Sequence, residues 1–145
     1  MKKGKRHYIL NVEKKYKKTM KYLMKHGADI NKENRDGWTP LFNACDKRNE
    51  NLVKYLVEYV GADINKANKK GETPLFNACS RRYVNQMKYL VAHGADINKE
   101  TKKGITSLFV SCSKRYEDIM KYLVEHGAII NKENNRSETP LFCLY

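Results

Sequence analysis

Apolar positions along this chain fall in short groups that recur at a fixed interval. Leu52, Val53, Leu56 and Val57 share one face of a helix of 3.6-residue period, and Met87, Leu90, Val91 and then Ile119, Met120, Leu123, Val124 repeat the pattern. Each group ends at a glycine, namely Gly27, Gly61, Gly94 or Gly127, which supplies the left-handed residue that terminates a helix. A shorter apolar group precedes each one. Thr39-Pro40-Leu41-Phe42 returns as Thr73-Pro74-Leu75-Phe76, Thr106-Ser107-Leu108-Phe109 and Thr139-Pro140-Leu141-Phe142, at spacings of 34, 33 and 33. Threonine followed by proline is a helix start, because the hydroxyl accepts from an orphan backbone N–H and proline at the first position loses no needed donor. The pattern therefore predicts pairs of short helices, the first spanning about Pro40 to Lys47 in the clearest copy. Between the pairs lie polar stretches with Gly71 or Gly104, suited to tight turns.

Helices of roughly eight to ten residues are marginal alone, so neither member of a pair is stable without its neighbours. Stacking the copies buries both faces. On the helix pairs, the 33-residue period and the Thr-Pro-Leu-Phe-Asn-Ala run, the chain resembles the ankyrin repeat over nearly its whole length. The resemblance implies an all-α solenoid of stacked helix-turn-helix units with projecting β-hairpin loops. The expected units are 3–35, 36–69, 70–102 and 103–135, with a partial unit at 136–145, all in one domain.

Four departures from the family pattern bear on the structure. The first unit lacks Thr-Pro, and Arg6 to Lys15 stand where its first helix belongs, ahead of an intact second helix from Thr19. The second unit carries one extra residue near Tyr59-Val60. Arg48, Arg82 and Arg115 occupy a turn position where the family has glycine, at a cost of about 1 kcal/mol if held left-handed, so a different turn is expected. The last unit stops at Tyr145 with Ser137 in place of the turn glycine, as a fragment of a longer array would, and its exposed half repeat suggests self-association.

Composition fits a folded chain of 145 residues, 41% hydrophobic and 31% charged. No apolar run approaches the roughly 18 residues of a membrane span, and no signal peptide is expected. The net charge of +13 favours polyanionic or acidic partners, although an AT-rich genome would also enrich lysine. Met1 to Arg6 resembles a nuclear-import patch within an otherwise cytoplasmic, intracellular reading.

Candidate chemistry is sparse. Cys45, Cys79 and Cys112 share one register in the first helices and read as buried packing groups in a reducing compartment, with Cys143 out of register. His26, His93 and His126 precede the terminating glycines, where they cap helix ends. No metal, nucleophile or phosphate-loop motif occurs, so neither catalysis nor a cofactor is expected. Tyr22, Tyr55, Tyr89 and Tyr122, each beside a lysine, read as packing between repeats, with a ladder for single-stranded nucleic acid as the competing reading.

The resemblance implies that a protein partner binds on the hairpin tips and the inner face of the first helices. The positions there are Arg35, Trp38 and Lys47 in the second unit, Lys69, Lys70 and Arg81 in the third, and Lys102, Lys103, Ile105 and Lys114 in the fourth. Trp38 is the only tryptophan, and its counterparts are Glu72, Ile105 and Glu138. With Trp and Arg the commonest interface anchors, Trp38 beside Arg35 is the expected contact, and the lysines are expected to attract an acidic segment. The alternative is a polyanion binder, for RNA, DNA or anionic lipid, acting through distributed lysines.

Overall fold

A computed structural model describes the backbone of residues 3–145 and the side chains from Lys14 onward. Met1 and Lys2 of the basic run, and the side chains of its remaining residues, therefore lie outside what is described. Among the described residues seven α-helices follow one another: α1 (Lys3–Lys25), α2 (Pro40–Asp46), α3 (Glu50–Tyr55), α4 (Pro74–Ser80), α5 (Val84–Ala92), α6 (Ser107–Ser113) and α7 (Glu117–Glu125). A 3-10 turn at Pro140–Leu144 closes the described chain.

Helices α2, α4 and α6 are the inner members of the pairs. Thr39, Thr73 and Thr106 cap them, each hydroxyl accepting from the N–H of Phe42, Phe76 or Phe109 at 3.2 Å. Helices α3, α5 and α7 form the outer layer. Leu41, Leu75 and Leu108 from the inner layer and Leu56, Leu90 and Leu123 from the outer layer meet in one continuous core. Ala44, Ala78, Cys45, Cys79 and Cys112 fill the narrow space between layers, where a larger side chain would hold the helices apart. Stacking thus closes a core that no single pair could form.

The first unit differs from the sequence expectation. The second helix expected from Thr19 does not begin there: α1 runs unbroken from Lys3, through the Arg6 to Lys15 segment, to Lys25, because no glycine or proline lies between Lys5 and Lys25 to stop it. This unit consequently has an outer helix and no inner one.

The extra residue of the second unit is absorbed in a single π-helical turn, Leu56–Val60, which continues α3. Both ends of the insertion stay in register. Leu56 accepts from the N–H of Ala62, just as Leu90 accepts from Ala95 and Leu123 from Ala128 in the shorter units. The added residue is pushed outward, leaving Tyr59 exposed and stacked on Tyr55 at 5.8 Å between ring centroids.

Arg48, Arg82 and Arg115 are left-handed after all, with φ of 52°, 58° and 58°. The expectation of a different turn was wrong because it left out what the side chain touches. Arg48 lies over the ring of Tyr83 at 4.8 Å and Arg82 over Tyr116 at 5.3 Å, each in the next unit. A cation over an aromatic face contributes about 0.5–1 kcal/mol at an exposed site, which offsets much of the backbone cost.

Candidate partner-binding surface

The hairpin loops contain no strand among the described residues, yet their tips are held tightly. Within each loop one side chain sets the turn: Asn34 Oδ1 accepts from the N–H of Asp36 and Trp38, Asn68 Oδ1 from Lys70 and Glu72, and Thr101 Oγ1 from Lys103 and Ile105. Between loops the backbone forms a ladder, with Lys69 N–H donating to Asp36 O, Lys102 N–H to Lys70 O and Asn135 N–H to Lys103 O at 3.0–3.1 Å. The ladder needs close approach. A Cβ on Gly71, whose φ is 80°, would lie 2.7 Å from the nitrogen of Lys102, so glycine alone fits that position.

Lys69, Lys70, Lys102 and Lys103 stand on adjacent tips of this ribbon, all exposed. Among the described residues none of the four forms an ion pair, nor do Arg35 and Lys47. Two other expected cations are engaged within the protein. Arg81 pairs with Asp46 at 2.8 Å, and Asp46 also accepts from the amide of Asn77 at 3.1 Å. Lys114 Nζ donates to the carbonyl and the hydroxyl of Ser80 at 2.7 and 3.1 Å.

Two clefts open between the tips and the inner helices. The first, of about 240 Å³, has Trp38 and the edges of the largely buried Phe42 and Phe76 among its walls, with Lys70 and Arg81 balanced by Glu72 and Asp46. Trp38 is half-buried and tilts against Phe42 at 4.9 Å between centroids, so part of its ring faces the cleft. The second, of about 380 Å³, is lined by Lys103, Ile105, Phe109 and Arg136. Thus the structure brings Trp38, Lys70 and Arg81 together at one cleft and Lys103 and Ile105 at another, while Arg35, Lys47, Lys69, Lys102 and Lys114 line neither. Sequence reasoning passed over the phenylalanines and Arg136. Arg136 occupies the register of Lys70 and Lys103, which was the signal for it, but the phenylalanines looked like core and carried none.

The outer layer is arranged for packing. His26, His93 and His126 each hold Nδ1 2.7–2.8 Å from the carbonyl of the tyrosine four residues earlier, which caps the helix end. The same histidines lie against those tyrosine rings at 3.9–4.3 Å. Lysines of the preceding unit cover two of them, Lys54 over Tyr89 and Lys88 over Tyr122. Tyr89 also donates to Glu58 at 2.9 Å, and burial together with that carboxylate raises its pKa.

Burial pushes the thiols of Cys45 and Cys79 up to about 12, so both stay protonated at neutral pH. Both lie in the core and are 0% exposed. Among the described residues no group of three His, Cys, Asp or Glu side chains could hold a metal ion, and no helix is long and apolar enough to cross a membrane.

A stacked-repeat solenoid with a rigid ribbon of exposed tips over shallow clefts is the architecture of a macromolecular recognition module. A family model for ankyrin repeats in three copies matches residues 7–101, and one for a single ankyrin repeat matches residues 103–135. The chain belongs to the ankyrin repeat family, whose members are generally protein-interaction modules. Among curated proteins, none matches it.

Proposed function

We propose that this chain is a non-catalytic module that holds an acidic, extended segment of another protein along its hairpin tips and inner helices. The observation that carries the reading is the set of four unpaired ammonium groups, Lys69, Lys70, Lys102 and Lys103, on a backbone-locked ribbon above two clefts lined mostly by polar residues, one of which takes in Trp38. Carboxylates of a partner would pair with these groups, and one apolar side chain would enter against Trp38. Fixing the tips before binding lowers the entropy lost on association. Arg35 and Arg136 extend the basic ribbon at either end, while Arg81, already neutralised by Asp46, serves as a wall. We place the module in a reducing intracellular compartment, cytoplasm or nucleus, where its four free cysteines stay reduced.

A polyanion-binding reading draws on the net charge of +13. The aromatic ladder it would use is interrupted, because Tyr55 is buried and Tyr89 and Tyr122 each lie between a lysine and a histidine, leaving Tyr22 as the one well-exposed ring of the four.

Tryptophan emission tests the proposal, since Trp38 is the only reporter. Titrating a Glu/Asp-rich peptide should give a saturable emission change. The affinity should fall as salt rises, and Trp38→Ala, followed with a labelled peptide, should cost about 2 kcal/mol, the size of an anchor residue. Unchanged emission at saturation, or full affinity in Trp38→Ala, would place the contact elsewhere.

A further inference from the structure

The hairpin ladder gathers residues from separate repeats into a single row. Each tip contributes two consecutive residues, and the bonds from Lys69 N–H to Asp36 O, Lys102 N–H to Lys70 O and Asn135 N–H to Lys103 O set successive pairs side by side. Across the repeats the order is Arg35, Asp36, Lys69, Lys70, Lys102, Lys103, Asn135, Arg136. Four lysines are therefore consecutive in space although 34 positions separate the first from the last. Asp36 stands in the register of Lys70 and Lys103, exposed and opposite in charge, and it cuts Arg35 off from the row. Asn135 separates Arg136 at the far side.

Successive Cα atoms within a tip are about 3.8 Å apart, and hydrogen-bonded neighbours across a ladder about 5.5 Å, so the four lysines span about 13 Å. An extended chain advancing about 3.3 Å per residue covers that length with five residues. Like charges this close repel one another, and the ladder prevents the tips from separating. A continuous run of carboxylates relieves the repulsion along the whole row, which scattered carboxylates do not.

The Trp38 cleft adjoins this row on one side. Its own charges cancel, Lys70 and Arg81 against Glu72 and Asp46. It opens between the second and third units, whereas the centre of the lysine row lies between the third and fourth. One repeat, about 8–10 Å at helix packing distance, separates the two, or about three residues of extended chain. In the opposite direction the nearest tip residue is Asp36, which repels a carboxylate.

Resting on the hairpin face as the binding surface, we propose that the bound segment is bipartite and one-sided. One apolar side chain sits against Trp38, and a run of about five acidic residues lies next to it, on the side of the fourth unit only, along Lys69, Lys70, Lys102 and Lys103. Asp36 is the residue that sets the side.

Fluorescence anisotropy with labelled peptides and the full chain tests the proposal. Compact peptides carry one leucine with five consecutive Glu residues beside it, made in both chain directions. A divided peptide of identical composition carries the Glu residues on both sides of the leucine. The better compact peptide should bind about tenfold more tightly than the divided one, the size of a few exposed ion pairs. Asp36→Lys continues the lysine row past the cleft and should tighten the divided peptide until the difference is within about threefold. The ladder uses only the backbone of Asp36, so circular dichroism should match the parent; should Lys disturb the tip, Asp36→Asn should narrow the difference in the same direction. Equal affinity for compact and divided peptides, with both lost when Lys69, Lys70, Lys102 and Lys103 are changed to Glu, would overturn the one-sided arrangement and leave the hairpin face as the binding surface. No gain for the divided peptide in either Asp36 variant would overturn it too. Binding that survives the four lysine changes would overturn the hairpin-face reading, and this proposal with it.

Discussion

The three left-handed arginines show how one residue can be both a local fault and a tertiary contact. Holding a side chain at positive φ costs about 1–2 kcal/mol, and glycine would remove that cost. Arg82 recovers part of it over Tyr116 and part through an exposed ion pair with Asp118 at 3.4 Å, which contributes little by itself. Arg115 has the same backbone and, among the described residues, no ring contact. Thermal unfolding at low protein concentration should therefore find Arg115→Gly more stable than the parent by about 1 kcal/mol and Arg82→Gly nearly unchanged. Equal gains at both sites would show that the stacking contributes nothing. The sequence marked these arginines as anomalies but could not show the compensation, because Arg82 and Tyr116 are joined only through the repeat geometry. Trp38 was legible by its uniqueness alone. Its packing on Phe42, and the engagement of Arg81 by Asp46, depend on side-chain directions that no spacing reveals.

Among the elements, those with matching copies were the readable ones. Threonine caps, terminating glycines and the apolar stripes of α3, α5 and α7 all follow from local chemistry repeated in register. What failed was the unit without a template: nothing in positions 5–25 breaks a helix, and α1 runs through. The extra residue near Tyr59 was visible as a count, but its form was not, since a loop and a π turn are equivalent in sequence. The π turn keeps Leu56 bonded to Ala62 by bulging outward, with a poorer hydrogen-bond geometry than an α turn. Deleting Val60 should restore an ordinary turn ending at Gly61 and place Tyr59 where the other units have histidine. Its denaturant midpoint is expected to equal or exceed that of the parent. A clear loss would mean that the bulge itself makes a stabilising contact.

For the molecule as a whole, the repeat both supplies stability and assigns the surfaces. Columns that recur unchanged bury the core, and columns that vary between copies, 36, 38, 70, 72, 103 and 105 among them, fall on the hairpins. Net charge is a property of the entire surface, whereas recognition depends on which charges are unpaired and fixed in position. The decisive measurement is a nuclease-treated pull-down at near-physiological salt with three proteins: the parent, a hairpin variant with Lys69, Lys70, Lys102 and Lys103 changed to Glu, and an outer-helix variant with Lys21, Lys54, Lys88 and Lys121 changed to Glu. Both variants carry the same net charge. If the hairpin face is the binding surface, the parent and the outer-helix variant retain the same discrete proteins and the hairpin variant loses them. If both variants lose them alike, or if only nucleic acid is recovered when nuclease is omitted, charge alone is the determinant and the hairpin-face account is wrong.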